Sequence, residues 1–387
     1  MRPGRQEVTV VPSVLQWARE SMGLTVDEVA KRLRLTTATV TAWESGNARP
    51  TLRHLEELST YLKRPLAAFF LPKPPEDLPL PTDFRSLPAG KKPFSEKTRL
   101  ALRRARRLQS LFHDLSEGPR ESRSTEIGSA SLQMDTRRLA QEARTRLEVT
   151  IETQMSWPDE RVALDEWARA VESRGVLVLE ASFPLEEGRA FSFADETVPA
   201  VVLNTRDAPT GRTFSLFHEY CHLLIRQDGI CDLSDTGKTI EQFCNRFAAE
   251  FLVPERALVN QPGVTGHALG QRWEDEDLGS LAKLFKVSRE VILRRLLSLG
   301  RTTVSFYEKK CREWEHERKA TVKRRKAWRV PARDCVRNNG VRFTSAVLES
   351  ARQERITYRD VSDYLSIALK HLPKVEEILQ RDKALHA

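Results

Sequence analysis

Residues 218–222 read His-Glu-Tyr-Cys-His inside the apolar run FSLFHEYCHLLI, and this arrangement constrains the local fold more than any other part of the chain. On an α-helix, histidines four positions apart lie one turn apart on the same face, so both imidazoles can grip one metal ion. Glu219 then falls beside that ion, where a general base would stand. The spacing supplies two ligands, whereas a catalytic tetrahedral centre takes three from the protein. A helix-like segment at 240–252, Ile-Glu-Gln-Phe-Cys-Asn-Arg-Phe-Ala-Ala-Glu-Phe-Leu, offers two carboxylates at loop-closing distance, Glu241 and Glu250. Residue types alone leave both open.

With 387 residues and 40% hydrophobic content, the chain is long enough for two or three folded domains. No run approaches 18 apolar residues, and no apolar leader precedes a small-residue cleavage site, so a cytoplasmic protein with no membrane partner is expected. Five cysteines, three of them at 221, 231 and 244, form no disulfide framework, and reduced thiols are the default. The formal charge of +9 favours polyanions nonspecifically, and its distribution is uneven. Positions 91–107 carry eight Lys or Arg against one Glu, and 301–333 carry twelve against four acidic residues. Each stretch suits either nucleic acid or an ordinary solvated helix face whose arginine stems cover a neighbouring element.

From Val11 the pattern predicts short helices in VLQWARESMG, TVDEVAKRLR, TTATVTAWES and LRHLEELSTYLKR. Thr25 with Glu28 forms a capping box for the second, Thr36 caps the third, and Leu35 falls in the sharp turn between them. Val29, Leu33, Val40 and Trp43 then share a core. This is a helix-turn-helix pattern, and Trp-Glu-Ser-Gly-Asn-Ala-Arg-Pro at 43–50, followed by Leu55 and Leu58, resembles Xre or Cro repressor domains over residues 11–71. In a major groove the third helix would present Thr37, Ala38 and Thr41 to base edges, with Lys31, Arg49 and Arg53 on phosphates. No Arg, Gln or Asn on that helix offers a bidentate base contact, so affinity with modest sequence discrimination is expected for double-stranded DNA. A docking domain that meets protein instead is the other reading.

Seven prolines between 72 and 93 argue against regular structure and predict a semi-rigid connector. The basic segment after it and residues 135–147 read as helices. Gly175 before Val-Leu-Val-Leu, then 190–193 and the β-branched run 198–203, predict a small sheet ahead of the metal-binding helix.

The span around the motif resembles the ImmA/IrrE metallopeptidases. The resemblance rests on Asn204 after a strand, Arg212 and Phe214 before the helix, HEYCHLL, and a Glu-x-x-x-Asn-x-Phe-Ala-Ala-Glu-x-Leu-x-Pro segment ending at Pro254. It implies a gluzincin-like site in which His218, His222 and Glu241 hold Zn²⁺, Glu219 is the catalytic acid-base residue, and Asn245 orients a ligand. Mn²⁺ is compatible with the same residue types. The family is known for cleaving helix-turn-helix repressors to release stress or mobile-element genes, which makes such a repressor the implied substrate. A DNA-binding regulator, antitoxin-like, whose peptidase-like domain senses metal or ligand or docks a partner, is the alternative. Two residues depart from the family pattern: Cys221 stands where glycine is usual, and Cys244 where alanine is usual. Both are small enough to pack, and both would make the site redox-sensitive if they face each other. A cysteine in place of Glu241 as ligand is chemically allowed for Zn²⁺ but has no motif behind it.

Residues 281–300 read as helices closing the peptidase domain, with Ser288 capping the second half. Cys311, His316 and Cys335 match no zinc-finger spacing, and His267 reads as a surface histidine. After Gly340 the chain is helical again, with Thr357 and Asp360 forming a capping box and a last helix following Pro373. The expected fold is α+β and mainly helical: a helix-turn-helix domain (1–71), a proline-rich linker (72–93), a zincin-like metallopeptidase domain (94–300) and a basic, helical C-terminal extension (301–387).

Overall fold

The computed structural model describes residues 7–75, 94–116, 128–194, 198–226, 229–231, 239–267, 272–321 and 330–386. Most of the proline-rich stretch and part of the basic segment before Pro331 lie outside the described residues. Contacts divide the described chain into two units, one ending at Arg103 and the other beginning at Arg104.

The first unit contains α1 (Pro12–Glu20), α2 (Val26–Leu33), α3 (Thr37–Glu44), α4 (Leu52–Leu62) and the start of α5 (Glu96–Leu115). The expected caps form. Thr25 and Glu28 close a capping box, and the Thr36 hydroxyl accepts from the Thr39 N–H. Arg34 ends α2 at φ 57°, which turns the chain sharply into α3. Val29, Leu33, Val40 and Trp43 meet Leu15, Leu55, Leu58 and Phe69 in one buried cluster, as the apolar spacing predicted. An ion pair between Arg19 and Glu44, at 2.7 Å with both side chains 12% exposed, ties α1 to α3.

The second unit begins with the rest of α5 and continues through α6 (Thr136–Arg146), α7 (Ile151–Ser156) and α8 (Glu160–Glu172). The strands β1 (Leu177–Ala181), β2 (Ala190–Phe193) and β3 (Ala200–Asn204) follow, then α9 (Pro209–Leu224), β4 (Gly229–Cys231) and α10 (Thr239–Leu252). The remaining helices are α11 (Glu255–Val259), α12 (Pro262–Thr265), α13 (Asp275–Phe285), α14 (Arg289–Ser298), α15 (Val304–Thr321), α16 (Pro331–Asn339), α17 (Val341–Arg352), α18 (Tyr358–Leu365) and α19 (Leu372–His386).

The four-stranded sheet has the order β1-β3-β2-β4. β1 runs parallel to β3, with Leu177 opposite Ala200, while β2 is antiparallel to both β3 and β4. Nearly every residue of β1, β2 and β3 is buried, which explains the apolar runs of β1 and β3 and shows that the weak alternation of β2, Ala-Phe-Ser-Phe, marks no exposed face. Helices α8 and α9 pack on this sheet. Trp167 of α8 meets Phe217 of α9 edge-on at 4.8 Å and Phe251 of α10 at 5.2 Å, and Phe217 stacks on Phe251 at 3.9 Å. These three rings lock together the helices that carry the site.

The mainly helical fold with a small sheet agrees with expectation, including the strands before His218. The sequence reading did not single out α7, α8 or β4. Ser288 caps α14, and Thr357 with Asp360 caps α18, as predicted.

Candidate metal centre

Helix α9 lies within the core: every residue from Arg212 to Leu224 is buried. Its apolar composition makes this affordable for Leu216, Phe217, Leu223 and Leu224, but it also takes His218, Glu219 and His222 out of water. Buried polar groups must find partners. Here the two histidines find each other and α10, and Glu219 finds β2.

The Nε2 atoms of His218 and His222 lie 3.1 Å apart. Glu241, in the first turn of α10, brings one carboxylate oxygen to 3.1 Å from His218 Nε2 and the other to 3.4 Å from His222 Nε2. Donors held about 2.0–2.2 Å from a tetrahedral Zn²⁺ are roughly 3.3–3.6 Å from each other, so this convergence fits one such ion. The far side of His218 supports the fit. Its Nδ1 sits 3.0 Å from Asn245 Oδ1, and because that oxygen only accepts, the proton belongs on Nδ1 and the Nε2 lone pair faces the donor cluster. One turn of α10 separates Glu241 from Asn245, so a single helix supplies both contacts.

The electrostatics follow from burial and proximity. Burial holds His218 below the ordinary histidine range, and neighbouring His222 adds to this. Burial also opposes charge on His222, yet the Cys244 thiol and the Glu241 carboxylate carry its pKa well above the usual value. For Glu241, burial works against ionisation, but the two imidazoles hold the carboxyl down to about 2. A cation between these groups would therefore meet an ionised carboxylate.

Glu219 receives a hydrogen bond that sequence reasoning missed. The hydroxyl of Ser192, fully buried on β2, donates to Glu219 Oε2 at 2.5 Å. No motif marks Ser192, because strand pairing alone brings it under α9. Cys221 and Cys244 face each other across α9 and α10: burial pushes the Cys244 thiol up, and its hydrogen bond with Cys221 pushes the same way. Ligating atoms of His218, His222 and Cys244 lie within 4.8 Å of one another, so Cys244 borders the donor set. Glu250, the other carboxylate of the segment, lies instead among arginines, 3.5 Å from Arg295 and 3.9 Å from Arg137. His267 stacks flat on Trp273 at 3.7 Å.

In the first unit, Lys31, Thr37, Ala38, Thr41, Arg49 and Arg53 are all exposed. Thr37 also contacts Asp27 at 3.3 Å, and Arg53 pairs with Glu57 at 3.0 Å. Exposed pairs of this kind contribute little and yield readily to a phosphate.

Comparison with known families places residues 171–297 in the group described as the IrrE N-terminal-like domain, of the M78 peptidases, and residues 15–69 in that described as Helix-turn-helix. No curated protein and no solved structure matches the chain. Residues 15–69 thus match a helix-turn-helix domain of the Xre type, a DNA-binding and transcription-regulating class, and residues 171–297 an IrrE/ImmA-like, metallopeptidase-like domain. Among the described residues, no helix is long and apolar enough to cross a membrane.

Proposed function

We propose that this protein is a zinc-dependent endopeptidase that cleaves a helix-turn-helix transcriptional repressor in the cytoplasm and so releases stress or mobile-element genes. The observation that carries the reading is the convergence of His218, His222 and Glu241 within 3.4 Å, with Glu219 buried on the same helix. These three residues would hold Zn²⁺, and Mn²⁺ suits the same set less well. When bound, the ion supplies a Lewis acid that polarises a peptide carbonyl and acidifies water. Glu219 accepts a proton and returns it to the leaving amine, while the Ser192 hydroxyl fixes one of its oxygens. Asn245 holds His218 in the tautomer that points Nε2 inward. We assign residues 1–71 to the DNA- or repressor-facing domain, 72–93 to a linker, 94–300 to the peptidase and 301–387 to a C-terminal extension.

The test mixes the purified protein and Zn²⁺ with the product of the neighbouring gene, a helix-turn-helix protein on this reading, using Glu219→Gln as control. Metal-dependent cleavage that disappears in Glu219→Gln, with metal content retained, supports the reading. Equal cleavage by the variant excludes Glu219 as the base.

The exposed recognition helix favours a second reading, a DNA-binding regulator whose peptidase-like domain senses metal or ligand or docks a partner. Absence of cleavage together with tight, salt-sensitive operator binding would select it. Replacing Lys31, Arg49 and Arg53 by alanine should then weaken binding across all sequences, with a shallower salt dependence.

A further inference from the structure

A second concave site lies apart from the metal donors. Helix α8, strand β1 and helices α16 and α19 enclose a cavity of about 420 Å³, within the range of small-molecule sites. Leu164, Ala168, Val178, Val336 and Ile378 give it an apolar wall. Four arginines and four carboxylates also line it, and the two signs are not equally available.

The carboxylates are engaged from behind. Asp159 caps α8, accepting from the N–H groups of Arg161 at 2.8 Å and Val162 at 2.9 Å. Asp165 pairs with Arg337 at 3.1 Å, and Glu180 pairs with Arg212. Glu172 accepts from the N–H groups of Val341 at 3.1 Å and Arg342 at 3.3 Å, which begin α17. Burial raises its pKa to about 8, so it brings little negative charge at neutral pH. Of the arginines, Arg169 pairs with Glu166 at 2.6 Å and Arg337 with Asp165. Arg161 and Arg333 are exposed, and neither forms an ion pair among the described residues, although the Asp159 carboxylate attracts Arg161. The cavity therefore offers an apolar wall with two guanidinium groups at its edge.

We infer that this cavity binds a small organic anion with an apolar body, its acid group held by Arg161 and Arg333 and its body laid against Leu164, Ala168 and Val336. Carboxylates, sulfonates and phosphate monoesters share this chemistry. The inference does not depend on the peptidase reading. A bound ligand would nonetheless lie one ion pair from the metal-binding helix, because Glu180 on the cavity wall holds Arg212 in the first turn of α9.

The test uses the full chain and two fluorescent probes of nearly equal shape, anilinonaphthalene sulfonate, an apolar anion, and its uncharged counterpart N-phenylnaphthylamine. The sulfonate should bind saturably at one site per chain. The double variant Arg161→Ala/Arg333→Ala changes only exposed side chains and should weaken sulfonate binding about tenfold, with the neutral probe changed less than about twofold. Ala168→Trp, which fills the cavity, should abolish binding of both probes at an unchanged melting transition. Sulfonate binding that is non-saturating, is indifferent to the arginines, or survives a folded Ala168→Trp protein would overturn the assignment. Loss of repressor cleavage with probe binding intact would count against the peptidase reading alone.

Discussion

Gly340 separates α16 from α17 at φ 78° and ψ 155°, a region that only glycine occupies without strain. A Cβ at this position would fall 2.6 Å from the Val178 carbonyl oxygen and against a carboxylate oxygen of Glu172. Gly340→Ala therefore imposes two separate costs. Holding alanine in this backbone region costs about 1–3 kcal/mol. Pushing the buried Glu172 carboxyl off the half-buried N–H groups of Val341 and Arg342 leaves both sides unmet, for about 1–3 kcal/mol more. Urea unfolding of the second unit should show a loss of about 2–6 kcal/mol. Gly279→Ala is the control, since it sits in the middle of α13 with nothing within 4 Å of its added Cβ. It should stabilise by about 0.5–1 kcal/mol through helix propensity. If Gly340→Ala costs under about 1 kcal/mol, neither the strain nor the carboxylate contact is as described.

Glu172 itself predicts an unusual pH dependence. With a folded pKa of about 8 against an unfolded value near 4.3, the folded state holds the extra proton between these limits. Its contribution to stability is thus complete below about pH 4.3 and falls as pH rises, by about 1.4 kcal/mol per unit, until the carboxyl ionises near 8. Glu172→Gln should remove that slope from denaturation measured between pH 5 and 8, and identical slopes would refute it. At the metal centre, Cys244→Ala should retain a stoichiometric ion while Glu241→Ala loses it, as read by elemental analysis after dialysis; the reverse result would make Cys244 the third ligand. Asn245→Ala should weaken metal affinity about 10–100-fold without changing the stoichiometry at saturation, and unchanged affinity would leave Asn245 only a structural contact. Phe251→Ala, which removes the ring stacked on Phe217 and edge-on to Trp167, should cost about 3–5 kcal/mol in the same urea assay.

The parts legible in the sequence are those whose chemistry is local. Thr25 with Glu28, Ser288, and Thr357 with Asp360 announce helix starts because a cap needs only three or four consecutive residues. His218 and His222 share a face through helical spacing alone. Choosing between Glu241 and Glu250 required the family resemblance, since both lie on one helix and only tertiary packing sends Glu250 to Arg295. Ser192 was invisible because its role depends on which strand passes beneath α9. No motif marks helix α8, although its Trp167 anchors the aromatic cluster. The cavity could not be read at all, since its wall joins residues from Asp159 to Ile378 that no local pattern connects.

The far end of α10 is held from three directions. Arg144 of α6 donates to the Phe251 carbonyl, Gln154 of α7 to that of Leu252, and Arg295 of α14 to that of Val253, each at 2.9 Å. These are carbonyls that a helix leaves without internal partners at its C-terminal end. Mechanically, the helix is an arm of about 15 Å between this pin and Glu241. A pivot of about 4° at the pin would carry Glu241 sideways by about 1 Å, several times the roughly 0.2 Å latitude of a metal–ligand bond. Asn245 and Cys244 of the same helix contact His218 and Cys221 on α9, so such a pivot would also strain those contacts. The three hydrogen bonds at this end of α10 therefore help to hold Glu241 in register with His218 and His222.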